Sequence, residues 1–173
     1  MINPAFVAPG IRQAIALPPE FIVPQDGNRK QDCEQNAGKR WIEKHKGTYG
    51  KKHVTLWGDD LYCHQPMMEI LVSVGYNFIL VCKPQSHKIV YEWLRGITEE
   101  KVVRRVRHGH DETTTYRFAN GIPVKDGEDA MSVNWCEVTV DYPGKRIYRN
   151  SFATNHEITK ETVGEITKAG RVR

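Results

Sequence analysis

Two adjacent carboxylates, Asp59 and Asp60, are the residues whose types and position most directly suggest chemistry. They follow a predicted strand, residues 53–57, through Gly58, and ligands of open α/β sheets bind beyond the carboxyl ends of the strands. Hard divalent cations such as Mg²⁺ prefer carboxylate oxygens and leave other positions to water and phosphate oxygens. The pair is therefore a candidate metal site for phosphoryl transfer, although acidic residues are also common in strand-to-helix turns.

Two further groups of potentially reactive side chains are weaker candidates. His108, His110 and Asp111 could bind a metal, but they lie in a predicted exposed loop, and no distant third ligand can be identified. Cys63 and His64 adjoin the carboxylates, but neighbouring side chains in a turn point in different directions, so we expect no nucleophile pair. The sequence has no glycine-rich phosphate loop and no G-x-S-x-G motif, which argues against P-loop enzymes, dinucleotide oxidoreductases and α/β-hydrolases.

Basic residues are concentrated in two places, although the net charge is only +4. Such clusters can neutralise phosphates and give salt-dependent affinity for nucleic acid. A solvated helix face and loop would show the same pattern, so both interpretations stay open. The first cluster comprises Lys39, Arg40, Lys44, Lys46, Lys51 and Lys52, and the second comprises Arg104, Arg105 and Arg107.

The elements that must position these residues begin with a hairpin over residues 3–17, at the start of a sheet. A helix should follow from an Asp32 cap to about residue 45, with Cys33, Ala37 and Trp41 on its buried face, and with Gly47 and Gly50 ending it.

Beyond the strand at 53–57, we predict a helix from Pro66 to residue 74, ended by Gly75. A second strand follows at 77–82. Its apolar residues do not alternate with polar ones, which predicts burial on both faces, as in a parallel sheet covered by helices.

The C-terminal half has a different sequence pattern, dominated by strands and turns. A short helix is predicted over residues 86–95 with Ser86 as its cap, and turns and alternating strands dominate residues 98–154. A final helix should begin at Thr159.

Length and composition are those of one globular domain, with 173 residues, 39% apolar and 27% charged. No apolar run approaches the roughly 20 residues that span a bilayer, and residues 1–10 show no leader pattern. The four cysteines form no C-x-x-C motif, so reduced thiols in a cytoplasmic protein are expected, without a membrane partner.

Two blocks of the sequence resemble bacterial insertion-sequence transposases. The segment HVTLWGDDLY from residue 53, with HQP from 64 and GYNFILVCKP from 75, resembles that family's second-aspartate region. The segment RIYRNSFATN from 146 and residues 158–173 resemble the strand and helix that lead to its catalytic glutamate. The resemblance covers most of the chain.

The resemblance implies an α/β fold, namely a partial RNase H-like mixed sheet with flanking helices and a β-rich insertion. Residues 1–97 would be the N-terminal part of this core, 98–154 the insertion and 155–173 the start of the C-terminal core helix. The first aspartate of the family's DDE triad is expected upstream of Met1, and the glutamate about one helical turn beyond Arg173.

The resemblance also implies the site and its partners. Asp59 matches the family's second metal-binding aspartate, with Asp60 as a neighbouring metal ligand, and the intact family uses Mg²⁺ or Mn²⁺ to cut and join DNA phosphodiesters. With one triad carboxylate, this chain should bind metal weakly or not at all and be inactive alone. Its partners would be transposon ends, target DNA and, in a homo-oligomer, copies of itself. The expected DNA contacts are Lys39, Arg40, Lys44, Lys51, Lys52, Arg171 and Arg173.

Two other interpretations remain. The chain could be a non-catalytic DNA-binding module or regulator that competes for transposon ends, or an inert relic of a decayed element.

Overall fold

The computed structural model describes residues 1–8, 11–23, 32–49, 54–107 and 109–171. Within these ranges the chain forms eight strands and four helices. In chain order they are β1 (Ala5–Phe6), β2 (Ile15–Ala16), α1 (Glu34–Tyr49), β3 (Thr55–Gly58), α2 (Gln65–Ser73), β4 (Asn77–Val81), α3 (Lys88–Trp93), β5 (Glu99–Arg107), β6 (His110–Pro123), β7 (Ser132–Tyr142), β8 (Lys145–Thr154) and α4 (Val163–Ala169).

One mixed sheet of six strands organises the fold, in the order β3-β4-β8-β7-β6-β5. Strands β3 and β4 are parallel, and every other neighbouring pair is antiparallel. The predicted α/β class, with a mixed sheet and flanking helices, is confirmed. The β-rich segment supplies the four strands β5 to β8, and these continue the sheet of β3 and β4 because β8 pairs directly with β4.

Strand β4 lies at the centre of the core and is buried on both faces, as its apolar run predicts. Phe78 and Leu80 pack into one cluster with residues of α1, α2 and α3. Ile79 and Val81 face the opposite side and pack with residues of α4. Alternate side chains of a strand point to opposite faces, so only an uninterrupted apolar run can fill both clusters.

The predicted N-terminal hairpin forms, but not at the start of the main sheet. Its strands β1 and β2 pair with each other, Ala5 opposite Ala16, in a separate sheet of two strands. Each strand is only two residues long. A pair this short makes few hydrogen bonds, so its place is set by what it packs against.

Two predicted features of helix α1 are wrong. The helix continues past residue 45 and through Gly47 to Tyr49, and Gly50, the other residue predicted to end it, lies outside the described residues. The Trp41, His45 and Tyr49 rings stack along one side of the helix. These contacts offset the weak helix propensity of one glycine. Cys33 is exposed rather than part of the buried face.

Asp32 does not act as the predicted N-cap. Its side chain is buried and forms an ion pair with Arg40, 2.9 Å away. Its two oxygens also accept hydrogen bonds from the amides of Val23 and Cys33. A nearby guanidinium and two amides are stronger partners for this carboxylate than the first helical turn.

The shorter helices start later than predicted, whereas α2 agrees closely with its prediction. Ser86 does not cap α3, which begins at Lys88, and α4 begins at Val163, after a turn in which Thr159 accepts hydrogen bonds. Helix α2 has Pro66 in its first turn, and Gly75 follows it with φ of 79°. No helix in the described ranges is long and apolar enough to cross a membrane.

Candidate functional site

The parallel strands β3 and β4 end side by side, and the residues that follow them form what we call the carboxyl edge. Its members are Asp59, Asp60, Cys63, Cys82 and His87. Loops after parallel strands meet at one edge of a sheet, which is why residues far apart in sequence come together here.

Asp59 is the exposed carboxylate of this edge. Its Oδ1 accepts a hydrogen bond of 2.9 Å from the amide of Leu61, two residues on, which is an Asx turn. Such a turn orients the carboxylate and leaves coordination sites on both oxygens. Asp59 therefore keeps the capacity to bind a cation that the sequence assigns to it.

Asp60 points inward and is committed to the protein. Its Oδ1 accepts a hydrogen bond of 2.8 Å from the amide of Lys83, and its Oδ2 accepts one of 2.5 Å from Ser86 Oγ. Nε2 of His87 lies 3.1 Å from Oδ1. Burial raises the pKa of Asp60, but the hydrogen bonds from Ser86 and Lys83 and the charge of His87 outweigh it and hold this pKa below its ordinary value.

The two predicted metal ligands thus have different environments. Asp59 is free to meet solvent, whereas Asp60 ties the turn after β3 to the loop between β4 and α3. Binding of Mg²⁺ or Mn²⁺ by the pair stays a prediction.

The fold brings together a second group that was not predicted from the sequence, the thiol–imidazole cluster of Cys63, Cys82 and His87. One ligand atom from each residue lies within 4.8 Å of the other two. In the part of the chain that the structure describes, no other set of three Cys, His, Asp or Glu side chains is this close. The signal was present in the sequence: Cys82 directly follows β4, and Cys63 lies just beyond the turn after β3.

The two thiols of the cluster are buried and reduced. Cys63 and Cys82 have relative exposures of 2% and 0%, and neither forms a disulfide. A hydrogen bond with Cys82, together with burial, raises the pKa of Cys63 far above its ordinary value. Cys63 is therefore a neutral thiol in the absence of a cation.

His64 does not activate Cys63. This agrees with the expectation that neighbouring side chains in a turn point in different directions. Its Nδ1 accepts the amide hydrogen of Met67, 3.3 Å away, and so caps α2. Burial, with the nearby Lys39 and His87 charges, lowers the pKa of His64. The imidazole is consequently neutral near pH 7 and serves the helix start.

The residues predicted to contact DNA are not equivalent. Arg40 is held by Asp32, by Glu20 and by the carbonyl oxygen of Phe21. Lys44 is exposed, and Lys39 is half-buried. The guanidinium of Arg171 lies 4.1 Å from the centre of the Tyr148 ring. Lys51, Lys52 and Arg173 lie outside the described residues, as does His108 of the weaker metal candidate.

The second basic cluster lies on β5, at the opposite side of the sheet. Arg104, Arg105 and Arg107 are exposed. Arg107 lies 3.7 Å from Glu112, and Arg105 is directly opposite Glu112 in the strand register. Because side chains alternate along a strand, Arg104 points to the other face from Arg105 and Arg107. Strand β5 therefore presents positive charge on both faces.

Strand β3 is an edge strand, because no strand among the described residues pairs with its outer side. A groove of about 600 Å³ runs beside it. Trp57 lies in this groove, half exposed, and its indole nitrogen donates a hydrogen bond of 2.8 Å to the carbonyl oxygen of Gly170. The groove thus connects β3 with the end of α4.

Comparison with protein-family models, with curated proteins and with solved structures found no match to this chain.

Proposed function

We propose that this chain is part of the RNase H-like core of a DDE transposase, a cytoplasmic enzyme that cuts and joins DNA. One observation carries the proposal: Asp59 is exposed at the carboxyl end of β3, which is a parallel edge strand. In the proposed family the first aspartate comes from a strand that would pair along that edge. Its side chain would then lie next to Asp59.

Asp59 is the residue that would contact the metal, and Asp60 is a positioning residue. Mg²⁺ and Mn²⁺ need carboxylate oxygens that can exchange water for the ion. Asp60 offers its oxygens to Lys83 and Ser86 instead. If Asp60 bound a cation instead, it would lose these hydrogen bonds, and the loop before α3 would no longer be held by this carboxylate.

The described residues fit only part of a two-metal centre. Held by the complete set of carboxylates, two divalent ions would supply activation of a water or 3′-hydroxyl and stabilisation of the leaving oxygen for an in-line attack. Asp59 is one carboxylate, and a pair of ions needs several. We therefore expect no DNA cleavage or joining by this chain on its own.

The test begins with the DNA that flanks the reading frame. Translation should reveal a strand ending in Asp upstream, and a helix that carries Glu downstream. The extended frame should join DNA strands in Mn²⁺, and Asp59→Asn should reduce the rate about a hundredfold or more, since a metal ligand is lost. The matched control is Asp126→Asn, which removes another exposed carboxylate and should leave the rate unchanged.

Unrelated flanking sequence, or strand joining that survives Asp59→Asn, would contradict the proposal. A supercoiled plasmid that this chain alone nicks in an Asp59-dependent manner would contradict the expected inactivity.

A second candidate is a non-catalytic DNA-binding module, and the exposed arginines of β5 favour it. Arg104 and Arg105 lie on opposite faces of β5, so a duplex bound to one face contacts one of them. Replacing that arginine by Gln should make the decline of log affinity with log salt less steep by about one, since about one phosphate contact is lost. Fluorescence anisotropy of a labelled duplex measures this. Arg146→Gln is the control, because Asp141 already neutralises Arg146 at 2.9 Å.

The Asp59→Asn variant distinguishes the two candidate functions. A module that only binds DNA keeps its affinity in Asp59→Asn and has no reaction to lose. A transposase core keeps its affinity and loses strand joining. An inert relic shows neither affinity above background nor activity.

A further inference from the structure

We propose that Cys63, Cys82 and His87 bind one Zn²⁺ ion at the carboxyl edge. The inference is independent of the proposed function, because neither DNA nor Asp59 takes part in it.

The donor set has the chemistry of a zinc site. Two thiols and one imidazole are ligands that zinc prefers, whereas Mg²⁺ and Mn²⁺ prefer oxygen. A zinc ion would deprotonate both thiols, so the two thiolates would balance its charge inside the protein. The same site would reject the hard cations expected at Asp59.

The spacing is close to what zinc requires. The three ligand atoms lie within 4.8 Å of one another. Around a tetrahedral zinc ion, ligand atoms are about 3.3 to 3.8 Å apart, so each pair of ligand atoms needs to approach by about 1.5 Å or less. Side-chain rotation alone covers such a distance.

The backbone around Cys82 is fixed before any metal binds. Its amide donates a 2.9 Å hydrogen bond to Ser151, and its carbonyl oxygen accepts hydrogen bonds from the hydroxyls of Tyr91 and Ser151. The amide of Cys63 donates to the carbonyl oxygen of Asp60, and that of His87 donates to Lys83. The ligands are therefore positioned by the fold, which lowers the entropy cost of binding.

Asp60 completes the arrangement as the partner of the imidazole. Nε2 of His87 lies 3.1 Å from Asp60 Oδ1, and a zinc ion bound through the other ring nitrogen, Nδ1, would keep this contact. Metal-binding histidines usually donate their second ring N–H to a carboxylate, a backbone carbonyl oxygen or water, and Asp60 is such a carboxylate. Asp60 itself is anchored by Lys83 and Ser86. In this arrangement Asp60 would orient the zinc-binding imidazole in addition to tying the two loops together.

Three protein ligands leave the fourth zinc position to water. The His87 side chain is 13% exposed, which provides a path for the ion and the water. Zinc here would join the turn after β3, the end of β4 and the start of α3. We expect it to stabilise the carboxyl edge.

Titration of the reduced full chain with Co²⁺ in the absence of oxygen tests the site. One Co²⁺ per chain should give a thiolate-to-cobalt charge-transfer band and the visible bands of a tetrahedral ion, and Zn²⁺ should abolish both. Cys63→Ser and Cys82→Ser should each weaken Co²⁺ binding about a hundredfold or more. Asp60→Asn, which removes only the partner of His87, should weaken it about tenfold.

Two matched controls isolate the cluster. Cys136→Ser removes a buried thiol elsewhere in the sheet, and Cys33→Ser removes the exposed one. Both should bind Co²⁺ as the parent chain does. Circular dichroism checks that each variant folds. If a variant does not fold, ¹¹³Cd NMR of the unsubstituted chain is used instead, because the ¹¹³Cd chemical shift reports the number of thiolate ligands directly.

Absence of the charge-transfer band overturns the proposal. So does a band that persists in Cys63→Ser or disappears in Cys33→Ser, or a ¹¹³Cd shift without two thiolates. A disulfide between Cys63 and Cys82 in protein isolated without reductant, with no bound metal, also overturns it.

Discussion

The two sides of the six-stranded sheet are built differently. Strand β4 is buried along almost its whole length, between α1 to α3 on one face and α4 on the other. Strand β5, at the far side, is nine residues long and contains no buried residue. One sheet is thus a three-layer α/β structure at one side and an open antiparallel ribbon at the other.

This difference separates two kinds of polar environment. At the carboxyl edge, polar groups are held by backbone amides and by each other, because burial makes an unpaired polar group costly. On β5, the arginines remain exposed to water, so folding does not remove the hydration of their charges. The first side thus holds its polar groups in a fixed geometry, and the second presents exposed positive charge.

The largest expected effect is on the core beneath the carboxyl edge. Phe78→Ala on β4 removes a fully buried ring and should lower the free energy of unfolding by about 4 kcal/mol. Val106→Ala on β5, where the side chain is 74% exposed, should change it by less than about 0.5 kcal/mol. Urea unfolding measures both. Equal losses of unfolding free energy in the two variants would show that β5 is packed in solution. The two sides of the sheet would then not differ in burial.

The next effect distinguishes the two neighbouring aspartates. Asp60→Ala leaves the Lys83 amide, Ser86 and His87 without their acceptor, so we expect a loss of about 3 kcal/mol in unfolding free energy. Asp59→Ala removes one exposed turn contact and should cost less than about 1 kcal/mol. Both are measured by urea unfolding with a chelator present. A larger loss for Asp59→Ala would reverse the assignment of these two residues.

The smallest expected effect is a pH dependence at the start of α1. Hydrogen bonds from Arg40, with one from the Val23 amide, lower the pKa of Asp32 to about 2. A carboxyl group whose pKa is lowered by folding stabilises the protein above its unfolded pKa of about 4. That contribution disappears as the pH falls through about 2.

Arg40→Gln should therefore be less stable than the parent chain at pH 6, with the difference shrinking as the pH falls from about 5 to about 2. Urea midpoints across this range give the measurement. Lys44→Gln, an exposed change on the same helix, should match the parent at every pH. If the stability difference between Arg40→Gln and the parent chain were constant with pH, Arg40 would not lower the pKa of Asp32.

Local patterns predicted much of the fold. The uninterrupted apolar run of β4 predicted burial on both faces, and Pro66 with Gly75 predicted the limits of α2. The end of α1 was not predictable from Gly47, because stacking of Trp41, His45 and Tyr49 outweighs local propensity. Helix ends respond to such contacts more readily than helix centres do.

The candidate site was predicted in part. Asp59 and Asp60 were identified from their position after a strand, but nothing local distinguishes one from the other. Their difference depends on the loop between β4 and α3, more than 20 residues away, whose amide and hydroxyl groups approach Asp60 alone.

The sequence by itself determined the order of elements, the α/β class and the strand ends at which chemistry can occur, because hydrophobic periodicity and turn residues act over a few positions. Only the tertiary structure decided that β8 joins β4, that Arg40 pairs with Asp32, and that Cys63, Cys82 and His87 share one edge. Each of these contacts joins residues through space, and their strength depends on burial and distance, which residue type and spacing do not specify.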